Sequence, residues 1–206
     1  MFAVFYVASL FGVLDIPEGS DSDAAVQAAF VDDRGQIVLG VYLLAAGGLF
    51  FLWFLGGLHA RLREEATGRA LGAIVLGGGL VYVAMLYAAA ATWGVLAFAT
   101  AFDEIPAPVN ADVARALTQL GFVMLLIFGL LGAVAMIVAT SVVILRNRLP
   151  ARWLGWAGFP VSALLLLGPF YVPQLLVPLW VAATAVLLLW RSGGGAQGLR
   201  DPTARP

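Results

Sequence analysis

The chain has 206 residues, 62% hydrophobic and 11% charged, with a formal net charge of −1 and a mean hydropathy of +0.98. Soluble domains carry about 25% charged residues, so this composition excludes a water-exposed globule and indicates a polytopic membrane protein. The near-neutral charge leaves no cation excess for phosphates, which excludes a general nucleic-acid binder, and a sequence without cysteine excludes disulfides and thiolate chemistry.

Residues 1–14, MFAVFYVASLFGVL, are apolar from the first position. They read as a first membrane helix with a short or missing upstream flank; a cleaved signal peptide is the alternative, although neither a basic n-region nor a small-residue cleavage site stands out. From Asp15 to Gln36 the chain is acidic, with six carboxylates against Arg34. Within it SDAAVQAAFVDDRG predicts a short surface helix, acidic at its start, C-capped by Gly35, and laying Val26, Phe30 and Val31 on the membrane or the bundle.

Ile37 to Leu58 is free of charge for twenty-two residues and ends on the basic cluster HARLREE. At about 1.5 Å per residue it reaches roughly 33 Å, enough for a hydrocarbon core about 30 Å thick. A third span over residues 70–102 carries Gly72, Gly77, Gly78 and Gly79, with Ala73 four residues before Gly77, which predicts a face where another helix backbone approaches closely. Asn110 is the expected N-cap of the next helix, and the fourth span, 119–145, holds the small pair Gly129 and Ala133 before the basic stop RNRLPAR. Two shorter runs, 153–168 and 174–190, flank PFYVP; they predict a tight helical hairpin, with Pro160 kinking the fifth helix and Pro178 in the first turn of the sixth. Residues 191–206 read as a flexible tail.

Alternation places nine arginines on one side and only Arg34 and Arg115 on the other, while nine of the twelve acids fall on the arginine-poor side. The positive-inside rule makes the arginine-rich side cytoplasmic. The expected fold is therefore all-α: a polytopic transmembrane bundle of about six helices (1–16, 37–58, 70–102, 119–145, 153–168, 174–190), both termini cytoplasmic, in the plasma membrane. Trp53, Trp153, Trp156 and Trp190 mark the cytoplasmic interface, and Phe102, Phe170 and Tyr171 the outer one. All eleven basic residues being Arg is a compositional hint of a GC-rich bacterial genome.

Every charged residue falls in a loop or flank, which argues against an ion-coupled transporter built by this chain alone. The single histidine, His59, reads as an interfacial anchor rather than a metal ligand, and no serine has a base within plausible reach. No catalytic, cofactor or metal site is expected. The hydroxyls at depth, Tyr82, Tyr87, Ser162 and Thr184, form a candidate pocket for a lipid, a quinone or another apolar molecule, weighed against simple bonding to helix backbone.

The stretches AAFVDDRGQIVLGVYLL, FFLWFLGGLHARLRE and LPARWLGWAGF together resemble a group of actinobacterial integral membrane proteins and, more loosely, the bacterial family called domain of unknown function 4386. The resemblance covers about residues 20–190 and implies topology and packing but no catalytic residue. The resulting expectation is a structural or accessory membrane component whose partners are lipids and a second copy or partner subunit. A binder of a small apolar ligand is the alternative.

Overall fold

The computed structural model describes residues 1–13, 22–63, 68–102, 110–147, 152–167 and 172–197. These residues are helical apart from caps and turns. The helices are α1 (Phe2–Val13), α2 (Asp23–Asp32), α3 (Arg34–Arg63), α4 (Gly68–Ala101), α5 (Ala111–Val123), α6 (Leu130–Arg146), α7 (Arg152–Leu165) and α8 (Leu176–Gln197). A π-helical segment, Met124–Gly129, joins α5 to α6 without a break, and a 3-10 turn, Val172–Leu175, leads into α8.

Three helices are long and apolar enough to cross a membrane: Arg34–Arg63, Arg69–Ala101 and the continuous Ala111–Arg146. α1 and α7, with 12 and 14 residues, reach only about 18 and 21 Å at 1.5 Å per residue, short of the roughly 30 Å of a hydrocarbon core. Of the expected span at 1–16 the described helix covers Phe2–Val13, with 14–16 outside the described residues, and that at 153–168 is a helix ending at Leu165. α8 continues to Gln197, into the segment assigned to the tail, and 198–206 lie outside the described residues.

The helices close into a ring. α1 packs on α3, α3 on α4, α4 on α5 and α6, α6 on α7, and α8 sits against both α7 and α1. α3 and α4 form an antiparallel hairpin latched at its arginine-rich end, where His59 Nδ1 lies 2.9 Å from Gly72 O. A carbonyl only accepts, so this ring nitrogen carries the proton. The histidine, expected as an interfacial anchor, ties α3 to the neighbouring helix.

Close backbone approach sets the ring's dimensions. A Cβ on Gly78 would stand 2.6 Å from Gly132 O and 2.9 Å from Met136 N, and one on Gly132 would stand 2.6 Å from Gly78 O. α4 and α6 therefore cross on a reciprocal glycine contact that admits no side chain. Gly12 and Gly40 do the same for α1 and α3: a Cβ on either would lie 2.9 Å from the other's Cα. The packing face expected on α4 is real but rotated. Gly78 and Gly79 face inward, whereas Ala73 and Gly77 are exposed and nothing lies within 4 Å of a Cβ at Gly77. On the partner helix Gly129 and Ala133 are buried, yet Gly132, between them, makes the crossing.

At the acidic end α2 lies across the bundle, burying Val26 and Phe30 against α3, α4 and α5; the side chain of Val31 lies outside the description. Its N-cap is Ser22, which accepts from Ala25 N. Gly35 is no C-cap: α2 stops at Asp32, Asp33 makes a bend, and Gly35 already belongs to the first turn of α3, because Gln36 N and Ile37 N both bond back to Asp33 O. Asn110 caps α5 as expected, accepting from Asp112 N and Val113 N. α7 runs through Pro160, and Pro178 sits in the first turn of α8. Of PFYVP, where a break is expected, Val172 and Pro173 lie in the 3-10 turn, and 168–171 are outside the described residues.

The Gly78 crossing makes a direct prediction. Gly78→Ala forces a Cβ onto the backbone of α6 and should destabilise by about 1–3 kcal/mol, as overpacking does, while Gly77→Ala points into open space and should leave the melting temperature unchanged or slightly raised. Thermal unfolding of the two purified variants checks this.

Candidate functional site

The inward faces of the ring carry hydroxyls and no charge. The described charged side chains are all exposed or half-buried, and the buried polar residues are Ser9, Thr100, Thr118, Thr140, Ser141, Ser162 and Thr184. Most of these are satisfied by their own helix: Ser9 donates to Tyr6 O (2.7 Å), Thr140 to Met136 O, Ser141 to Ile137 O and Thr184 to Trp180 O (each 2.8 Å). Such back-bonding uses up the hydroxyl and leaves nothing for a ligand.

The four residues proposed from sequence divide in two. Thr184 is closed off in this way, and Tyr87, half-buried, donates across to Ala45 O on α3 at 3.3 Å, a helix-to-helix strut. Tyr82 and Ser162 differ. Both are buried, 1% and 4% exposed; the Tyr82 hydroxyl meets that of Tyr6, whereas Ser162 Oγ has no hydrogen-bond partner. The structure adds a second such atom, Trp180 Nε1 on α8, in a side chain 4% exposed. In an apolar interior an unmade hydrogen bond costs about 1–3 kcal/mol, so each of these two marks a cost that the packing around it has to offset.

Two further residues join this set. Tyr6 on α1 is 2% exposed and lies beside Tyr82, but it donates its proton to Gln174 Oε1 in the 3-10 turn at 3.3 Å. An aromatic wall runs behind these groups: Phe2 and Phe51 meet edge to face at 5.2 Å, Phe51 and Tyr82 stand 5.2 Å apart, and Phe2 and Tyr6 5.6 Å. Sequence reasoning missed Tyr6, Gln174 and Trp180. The available signal was position: Trp180 lies inside an apolar run rather than at an interface, and Gln174 is a lone amide between two apolar runs.

The depth of each group follows from the helix contacts. Tyr82 N lies opposite Gly132, and α7 runs antiparallel to α6, with Gly155 against Ile144 and Leu145 and Gly158 against Ser141 and Ile137. Ser162, one turn beyond Gly158, therefore sits near the level of Ile137. The five residues from 132 to 137 correspond to about 7.5 Å along the bundle. Between these levels α6 turns inward Ala133, Met136 and Ile137, all 0% exposed. Gln174, in the 3-10 turn before α8, meets Tyr6, while Val181 on α8 shares a groove with Phe2, so Trp180 stands level with the aromatic wall.

Two grooves open on the outside of the ring. One, of about 240 Å³, is lined by Leu126, Ile127, Leu130, Leu131, Leu165 and Leu166 beside the π-helical turn; the other, of about 130 Å³, lies among Met1, Phe2, Phe50, Phe54 and α8. Both are apolar, and neither includes the four residues proposed from sequence. No group of three metal-ligating side chains occurs among the described residues.

The acidic end carries a polar contact set of its own. Arg115, 21% exposed, pairs with Asp23 at 2.7 Å and reaches Asp112 at 3.4 Å. Thr100 Oγ1, on α4, also lies 3.3 Å from Phe30 O on α2, and Trp93 Nε1 donates to Thr118 O at 3.2 Å. The Arg115–Asp23 and Thr100–Phe30 contacts tie α2 down as a cap, and Trp93–Thr118 joins α4 to α5.

Comparison of the chain with protein-family models, with curated proteins and with solved structures finds no match, so the roles of these residues rest on geometry.

The cap predicts a local effect. Exposed pairs contribute about 0.2–1 kcal/mol, so Arg115→Gln should barely change global unfolding but should raise amide exchange in 23–32 selectively, which hydrogen–deuterium exchange with peptide-level readout would measure.

Proposed function

We propose that the chain is a multi-pass protein of the plasma membrane, with six embedded helices and both termini in the cytoplasm, serving as a structural or accessory component without a catalytic site of its own. The observation that carries this reading is the distribution of exposed side chains. Arg61 and Arg63 end α3, Arg69 begins α4, Arg146 ends α6 and Arg152 begins α7, all exposed at one end of the antiparallel ring. Asp23, Asp32, Asp33 and Asp112 gather at the other end, with Arg34 and Arg115. Between the ends the outward surface is apolar, with Leu39, Tyr42, Leu49, Ile74, Leu131 and Leu179 among its exposed side chains. Such a band suits acyl chains, and the arginine end suits the cytoplasm. Trp53, Trp153 and Trp156, 71%, 62% and 65% exposed, suit an interfacial belt at that end.

In this reading α1 and α7 are embedded but lean on α3 and α6, which are long enough to span. The buried hydroxyls carry no charge, in keeping with a role in packing against lipid and against a second copy or a partner subunit.

Because the chain has no cysteine, single-cysteine variants report topology cleanly. Asp112→Cys should react with a membrane-impermeant maleimide in intact cells and Arg63→Cys only after permeabilisation; the reverse pattern would overturn the orientation. Solute movement or substrate turnover by the purified chain in liposomes would overturn the accessory role.

A further inference from the structure

We propose that the outward face of α7 docks one anionic phospholipid of the arginine-side leaflet, with its phosphate on Arg146 and Arg152 and an acyl chain in the groove beside the π-helical segment. This rests on the membrane reading above and deepens it, because it gives one face of the bundle a specific partner.

Charge selects the corner. The connection RNRLPAR between α6 and α7 carries three arginines and no acid, whereas the stretch HARLREEATGR between α3 and α4 also holds Glu64 and Glu65. Gly155 on α7 packs against Ile144 and Leu145 of α6. Arg146 follows Leu145, and Arg152 stands about one turn before Gly155, so two exposed arginines flank the same end of the α6–α7 contact. Guanidinium forks match phosphate oxygens, and anionic phospholipids supply phosphate at that surface.

The rest of the face is graded as a phospholipid is. Arg152, Trp153, Trp156, Phe159 and Leu164 are all exposed and, at helical spacing, share one side of α7. They run from cation through tryptophan to aliphatic side chains, the order of a headgroup, its interface and its chains. Length agrees as well. α7, with 14 residues, is about 21 Å long, half of the roughly 40–45 Å of a whole bilayer with its headgroups, so it is one leaflet deep. At its far end Leu165 and Leu166 form one wall of the groove of about 240 Å³, and Leu126 and Leu131 belong to the other. A free phosphate would use the arginines but not the tryptophans or the groove, so the continuity of all three along one helix favours a lipid.

The test uses the full chain purified in detergent, melted with increasing palmitoyl-oleoyl phosphatidylglycerol, with phosphatidylcholine of the same chains and inorganic phosphate as comparators. A saturable rise in melting temperature is expected with the anionic lipid alone. Arg146→Gln and Arg152→Gln should each weaken its apparent affinity about fivefold. Leu131→Trp, at an exposed position on the groove wall, should weaken it too, whereas Arg63→Gln, at the same end of the bundle but on α3, should leave it unchanged. Melting without lipid shows that the variants fold. An equal response to both lipids, a response matched by inorganic phosphate, an unchanged affinity in Arg152→Gln or Leu131→Trp, or an equal loss in Arg63→Gln overturns the proposal. Its failure is separable from that of the topology, since reversed maleimide labelling moves the docking site to the other leaflet without removing it.

Discussion

The ring depends on backbone meeting backbone at Gly78–Gly132 and Gly12–Gly40. In the membrane setting proposed above, the solvent is as apolar as the side chains, so hydrophobic transfer would not drive helices together, and close van der Waals contact would supply the attraction. Two glycines facing each other let the helix axes approach as closely as two backbones allow, and they set the crossing point to within a residue. From that crossing the other registers follow: Tyr82 falls opposite Gly132, Leu55 packs on Gly79, and His59 reaches Gly72. The rest of the core, from Leu86 to Met136, fills space that these contacts define.

Polar atoms inside such a bundle follow a strict economy. A hydroxyl that bonds the carbonyl a turn earlier is silent, and Ser9, Thr140, Ser141 and Thr184 are all silent in this sense. Tyr87 ties α3 to α4 and Tyr6 ties α1 to the 3-10 turn, so their polarity is spent on architecture. Against that background the Ser162 hydroxyl and the Trp180 indole N–H stand apart as buried polar atoms without a hydrogen-bond partner. They lie on α7 and α8, which pack on each other.

The two ends of the bundle are built differently. The arginine end is a hairpin latched by one histidine-to-carbonyl bond, with its arginines exposed. The acidic end is covered by α2, whose Val26 and Phe30 are fully buried and whose Asp23 meets Arg115 from α5. That pair is exposed and screened, so apolar burial holds α2 in place and the ion pair chiefly sets its orientation.

Composition and periodicity alone determined the all-helical class, the order of the apolar segments, the three long helices, the cap at Asn110 and the opposed charge of the two ends, because each depends on residues close in sequence and on chain-wide averages. Sequence could not determine which glycine makes a contact. Gly77, Gly78 and Gly79 are equivalent in composition but point 100° apart on a helix, and only the position of α6 selects Gly78. Nor does MLLIFG, with no proline, announce the π-helical segment that joins α5 to α6. The candidate site was half legible for the same reason. Tyr82 and Ser162 could be named as hydroxyls at depth, but whether a hydroxyl is bonded or free, and that Tyr6 arrives beside Tyr82 and Gln174, depends on the packing of α1 against the rest of the bundle.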